Sequence, residues 1–159
     1  MRPMRRKDRA VTDPAKINEI MSRCHVCRLG LRDGERVYVV PLNFGLVERD
    51  GKQFLYFHGA GEGRKADLIR STGYACFEMD TGYRLRGGEQ ACDYTATFQS
   101  VIGEGTIAVV EDPAEKEAGL NAVMNQITGK DRWTYGPAML KEVCVFRLEV
   151  ESLTCKEHL

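Results

Sequence analysis

Apolar and polar residues alternate along much of this chain, and changes in the period mark its elements. Near the start the spacing is helical. Asp13 can cap a segment in which Pro14 takes the first helical position and Ile17, Ile20 and Met21 follow on one face. From Cys27 the period is two, with Cys27, Leu29 and Leu31 on one face and Arg28, Gly30 and Arg32 on the other. Asp33-Gly34 predicts a hairpin turn. The next strand, Val37 to Phe44, is apolar on both faces, so a second layer, a ligand or another subunit is expected over it. Pro41 in its middle removes a ladder donor, which favours an edge or bulged position. Asp50-Gly51 makes a second turn, and Gln53 to His58 returns as a strand.

Residues 62–72 predict a short helix ended by Gly73, and Tyr74 to Met79 a strand. Residues 80–91 are rich in glycine and charge and read as a loop. Thr95 to Val110 predicts a long strand, bent at Gly103 or Gly105. Asp112-Pro113-Ala114-Glu115 carries a cap, a proline and an acidic residue three positions on, the pattern of a capping box. Behind it Leu120, Val123, Met124 and Ile127 share a helix face, and Gly129 ends the helix. Val143 to Val150 alternates most cleanly of all. Many strands with a few interspersed helices imply a mainly β fold, a β-barrel with α-helices; the regular rhythm of a doubly wound sheet is missing. The expected organisation is a basic N-terminal arm (1–12), one domain (13–152) and a C-terminal tail (153–159).

Composition changes this picture little. The 159 residues suit one domain, and 23 Lys plus Arg balance 23 Asp plus Glu, so net charge gives no nucleic-acid or membrane signal. Arg2, Arg5, Arg6, Lys7 and Arg9 form a local basic stretch without interleaved aromatics, which fits a tail or packing arm better than a nucleic-acid contact. No apolar run nears the roughly 20 residues needed to span a bilayer, and no apolar stretch follows the basic start. A cytoplasmic protein is expected, with its six cysteines as free thiols.

The chemistry concentrates in His58-Gly59-Ala60-Gly61-Glu62-Gly63-Arg64-Lys65, which links a strand to a helix. Arg64 and Lys65 fall in the helix's first turn, the wrong end for cations on dipole grounds. A bound anion would resolve the conflict, because free N–H groups, glycines and two cations suit a phosphate. The competing reading leaves Glu62 to offset both charges in water. His58 ends the feeding strand as a ligand contact, a proton donor or a structural hydrogen-bonder. Cys24-His25-Val26-Cys27 has zinc-like spacing but lacks a second ligand pair, and Cys27 shares a face with Leu29 and Leu31, which favours a buried thiol. Gln99 and Ser100 are adjacent polar residues on a strand, so at most one faces the core. Trp133 and Tyr135 lie in a loop and can cap a ligand or pack at an interface. No Ser-His-Asp pattern or hydrolase-like carboxylate pair is visible.

Met4 to Arg9 with Thr12-Asp13, Tyr38 to Gly45, Leu55 to Ala60 with Gly63-Arg64-Lys65, and Ser100 to Gly105 together resemble, in order, the pyridoxamine 5′-phosphate oxidase-like superfamily, and within it the nitroimidazole-resistance group. The resemblance implies a six-stranded FMN-binding split β-barrel that forms a homodimer with flavin at the interface. By the same resemblance Arg64 and Lys65 would hold the FMN phosphate, and Val40, Pro41, Leu42 and Asn43 would line the ring. His58 and Gly59 would approach flavin or substrate, Gln99 and Ser100 the ring or ribityl chain, and Trp133 would cover the flavin from the partner. The implied activity is NAD(P)H-dependent reduction of nitroaromatic or related small acceptors. Alternatives are a flavin- or haem-binding carrier or sensor, with His58 or His25 as an axial ligand, and a pyridoxamine-phosphate oxidase. The last expects an Arg- and His-rich C-terminal signature, and Ser152 to Leu159 differs from it. Leu46 stands where relatives often carry an aromatic, and the CxxC is outside the flavin motifs.

Overall fold

Antiparallel strands dominate a computed structural model that describes residues 4–159; Arg2 of the basic arm lies outside them. In chain order the elements are β1 (Ala10–Val11), α1 (Pro14–Ser22), β2 (Val26–Asp33), β3 (Arg36–Asn43), β4 (Gly45–Arg49) and β5 (Lys52–Ala60). Then come α2 (Arg64–Thr72), β6 (Tyr74–Arg86), β7 (Thr95–Val109), α3 (Pro113–Thr128), α4 (Pro137–Glu142) and β8 (Val143–His158). The strands form one eight-stranded sheet in the order β3-β2-β6-β7-β8-β5-β4, with β1 added beside β8. Mainly β architecture is as expected, but the sheet has eight strands where six were anticipated.

A single residue, Phe44, joins β3 to β4, the two ends of that strand path. The sheet must therefore curl until its edges meet at this corner, where β3 touches β5. The two end strands do not pair with each other, so the curl stays open. Phe44 is fully buried. Gly45 lies flat on α3, where a Cβ would overlap the backbone of Ala122 and Val123. Gln126 of α3 ties the corner down: its side chain accepts the Leu46 N–H at 3.4 Å and donates to the carbonyls of Met21 (3.0 Å) and Cys24 (2.8 Å) at the end of α1.

Inside the curl, Cys27, Leu29 and Leu31 of β2 meet Phe57, Phe77 and Phe146. A smaller cluster of Phe54, Tyr56, Leu120, Val123 and Val145 lies under α3. Burial pushes the Cys24 thiol up to about 12 and drives Cys27 up as well, which disfavours the thiolate that redox or zinc chemistry needs.

Local signals hold well at the helix ends. Asp13 accepts the Ala15 N–H at 3.1 Å, Asp112 accepts the Glu115 N–H at 2.8 Å, and Gly73 and Gly129 end their helices in the left-handed region at φ 64° and 70°. The capping box, however, closes on one side only. The Glu115 carboxylate turns away from Asp112 to accept from Tyr56 Oη at 2.9 Å and Arg147 Nη1 at 2.5 Å.

Two boundaries and one burial differ from expectation. The predicted loop at 80–91 is strand as far as Arg86, because β6 and β7 extend beyond the barrel as a two-stranded ribbon with an irregularity between Thr81 and Arg84. The predicted tail at 153–159 is strand as far as His158: β7 pairs with it on one side, as in Val101↔Cys155, and β1 on the other, as in Val11↔Cys155. Val37 and Val39, expected under cover, are 73% and 59% exposed on the outer face of β3. The bend anticipated in β7 does occur, as a register shift between Glu104 and Gly105, where a Cβ on Gly105 would strike the Glu149 carbonyl. Among the described residues no helix is long and apolar enough to cross a membrane.

Candidate functional site

The end of β5, the loop behind it and the start of α2 converge with the end of β3. The β4–β5 register begins at Gly45↔Tyr56, just past the Phe44 corner that joins β3 to β4. His58 pairs with Val145 of β8, and Gly59 with Cys144. The curl of the sheet thus brings β3 near β5.

Gly63 is the N-cap of α2 at φ 108°, ψ 170°, a conformation essentially restricted to glycine. It has no side chain to offer, and no other side chain caps the helix. The N–H groups of Arg64, Lys65 and Ala66 therefore have no intrahelical acceptor. Lys65 folds back across Gly59, where a Cβ would collide with its Nζ, and its ammonium sits 5.6 Å from the centre of the Phe146 ring. Lys65 is half-buried and forms no ion pair among the described residues, and burial lowers its pKa. His58 is exposed by surface area, yet the surrounding protein and then the Lys65 charge lower its pKa. A positive, donor-lined, glycine-floored surface results. It fits a phosphate group: the N–H groups and ammonium are unmatched donors, and the glycines leave their backbone open to close approach.

Arg64 behaves differently from its neighbour. Its Nε and Nη2 donate to one oxygen of Asp33, at 3.0 Å and 2.6 Å, and its guanidinium lies 4.4 Å from the centre of the Tyr38 ring. It is thus already committed to the β2–β3 hairpin. Asp33 and Tyr38 are the parts of this site the residue pattern did not single out, because they served there as a turn residue and a core residue.

The remaining expected residues lie elsewhere in this chain. Gln99 is 4% exposed, accepts from Arg23 Nη2 at 2.6 Å and donates to Glu157 at 2.9 Å. It pairs with Glu157 on β8, whereas His58 pairs with Val145 on the same strand. That separation is about 40 Å along an extended strand. Ser100, next to Gln99 and paired with Asp80 and Lys156, shares that placement. Trp133 is fastened to α3 and its following turn, with its backbone N–H on Asn121 (3.2 Å) and Nε1 on the Lys130 carbonyl (2.9 Å). His25 is exposed, and its carbonyl accepts from Asn43 at 3.0 Å. A cavity of about 770 Å³ is lined by Gly30, Asp33, Val37, Leu68, Thr72 and Tyr74, and so shares Asp33 with this site.

Comparison with known proteins identifies the family and the fold. A profile of the pyridoxamine 5′-phosphate oxidase family matches residues 13–157. No curated protein sequence matches the chain. Among solved structures, a Bacteroides thetaiotaomicron protein named for 5-nitroimidazole antibiotic resistance is 30% identical, with a TM-score of 0.79 over 93% of this chain and 86% of its own. A flavocytochrome from Azotobacter vinelandii is 19% identical, with a TM-score of 0.78 over 99% of this chain and 72% of its own. An FAD-binding protein from Mesorhizobium loti is also 19% identical, with a TM-score of 0.65 over 95% of this chain and 98% of its own. The latter two likenesses concern the fold.

Proposed function

This chain belongs to the pyridoxamine 5′-phosphate oxidase family, and from that premise we propose that it is a flavin-binding oxidoreductase holding FMN by its phosphate at the Gly59–Lys65 loop. One observation carries the reading: a half-buried ammonium at Lys65 with no carboxylate partner among the described residues, beside uncapped N–H groups and a glycine-rich turn. Lysine seldom gives up water without a counter-charge, so such an arrangement suits an anion that arrives with a ligand.

Lys65 and the N–H groups of Arg64 to Ala66 would hold the phosphate. The backbone of Val40 to Asn43 would meet the ring. The chemistry a bound flavin supplies is two-electron transfer from a donor such as NAD(P)H to a small acceptor. The nitroaromatic class of acceptor is inferred from the name of the Bacteroides protein. His58 is held neutral near pH 7 by its lowered pKa, so it contributes an imidazole hydrogen bond to substrate rather than a ready proton. Ser100, Trp133 and the outer face of β3 point to a homodimer, in which a second copy brings residues to the loop that this chain's own fold keeps away from it. Gln99 is already satisfied within its own chain and is the weakest of these candidates.

The test is an absorbance spectrum of the purified protein followed by titration with FMN. Flavin bands, or uptake of FMN near one per chain, are expected. Colourless protein that takes up no FMN overturns the reading, and a Soret band in place of flavin bands transfers it to haem.

A further inference from the structure

Resting on that reading, we infer that Asp33 sets how strongly the cradle prefers a phosphorylated flavin, by competing with the phosphate for Arg64. Arg64 and Lys65 are adjacent in the first turn of α2, yet Arg64 is paired with Asp33 while Lys65 has no ion pair among the described residues. The guanidinium edge that takes an anion side-on, Nε with Nη2, is the edge Asp33 occupies. Tyr38 holds the face of the same group. In this state Lys65 is the loop cation without an ion pair among the described residues, and a phosphate monoester carries nearly two negative charges. Full neutralisation requires Arg64 to turn from the hairpin to the loop.

The Asp33–Arg64 pair is half-exposed, so exchanging one anion for the other lies within the energy of surface ion pairs. A second acidic residue serves as a control. Asp67 carries the same charge in the first turn of α2, but its contact is a loose one to Arg70 at 3.9 Å. Removing Asp67 alters net charge equally and leaves Arg64 where it is.

The experiment compares FMN with riboflavin, which has the same ring and no phosphate, on the cofactor-free full-length protein. Asp33→Asn is expected to shift the ratio of dissociation constants toward FMN by roughly three- to tenfold, with riboflavin unchanged. Asp67→Asn should shift it less. Tyr38→Leu, which removes the ring under the guanidinium, should move it in the same direction as Asp33→Asn and serves if the latter does not fold. An unchanged or reduced FMN preference in folded Asp33→Asn overturns the inference, since Asp33 would then be orienting Arg64 rather than withholding it. An equal gain in Asp67→Asn overturns it too, as a bulk charge effect. Wild-type protein that binds neither flavin removes the proposed function and this inference together, whereas wild-type FMN binding with an unresponsive Asp33 removes this inference alone.

Discussion

Lys65 shows how a single residue can be unfavourable for the fold and useful to the site. Burial holds its pKa below the ordinary lysine value, so the unfolded chain binds that proton more readily than the folded one. The penalty is complete below the lowered folded pKa and fades as pH rises toward the unfolded value. His58 adds a second penalty of the same sign at lower pH: its folded pKa is also lowered, so stability falls as pH drops through about 6.5 and continues to fall to the folded value. Lys65→Met should therefore leave the ligand-free protein at least as stable as wild type in thermal melts at pH 7, while weakening FMN binding by about tenfold or more. It should also raise the His58 titration midpoint in NMR, because the ammonium that repels the imidazolium is gone. An unmoved midpoint would show that the two groups do not sense each other. This cation–glycine loop was readable in sequence because it is contiguous. Asp33 and Tyr38 were not, since they reach Arg64 from a hairpin about thirty residues upstream that only the curl of the sheet brings near.

Elements were legible where a local rule decides them. Caps at Asp13 and Asp112 and the glycine stops at Gly73 and Gly129 need only neighbouring residues. The strand extensions did not show, because pairing partners, not alternation, keep β6 running to Arg86 and β8 to His158. The two-residue β1 exists only because β8 is there to receive it. Glu115 fits a capping box in sequence, but Tyr56 and Arg147 compete for its carboxylate from across the core and win. The element that matters most to the site is the β3–β4 corner, held by Phe44, Gly45 and Gln126. Gly45→Ala should force α3 away from the corner, at a cost of about 1–3 kcal/mol in urea unfolding. FMN affinity should fall with it, since the same corner sets β3 against β5. Wild-type stability in that variant would mean that α3 yields without strain.

At the scale of the whole molecule, one sheet face carries exposed apolar residues among charged ones. Val39, Gly30 and Cys76 lie in one row across β3, β2 and β6, and Pro41, Arg28, Glu78 and Ile102 in the next row across β3, β2, β6 and β7. Val37, Val39 and Ile102 are more than half exposed there, and Arg28 bridges Glu78 and Asp80 at 2.9 Å and 2.6 Å beside them. Valines on the open side of an edge strand invite pairing or cover, and this chain supplies neither. The apolar-on-both-faces pattern of Val37 to Phe44 was visible in the sequence; what covers its outer side is not encoded in any local signal. A second copy, as proposed, would bury that face and set partner residues against the loop at the other end of β3. Val39→Lys should then shift sedimentation from dimer to monomer and weaken FMN binding in the same concentration range, while leaving the far-ultraviolet circular dichroism unchanged. A charged side chain at the centre of such an interface, left without a partner, is enough to abolish a marginal dimer. If Val39→Lys stays dimeric and binds FMN normally, this face is not the interface, and the residues completing the flavin site must come from elsewhere on the second copy.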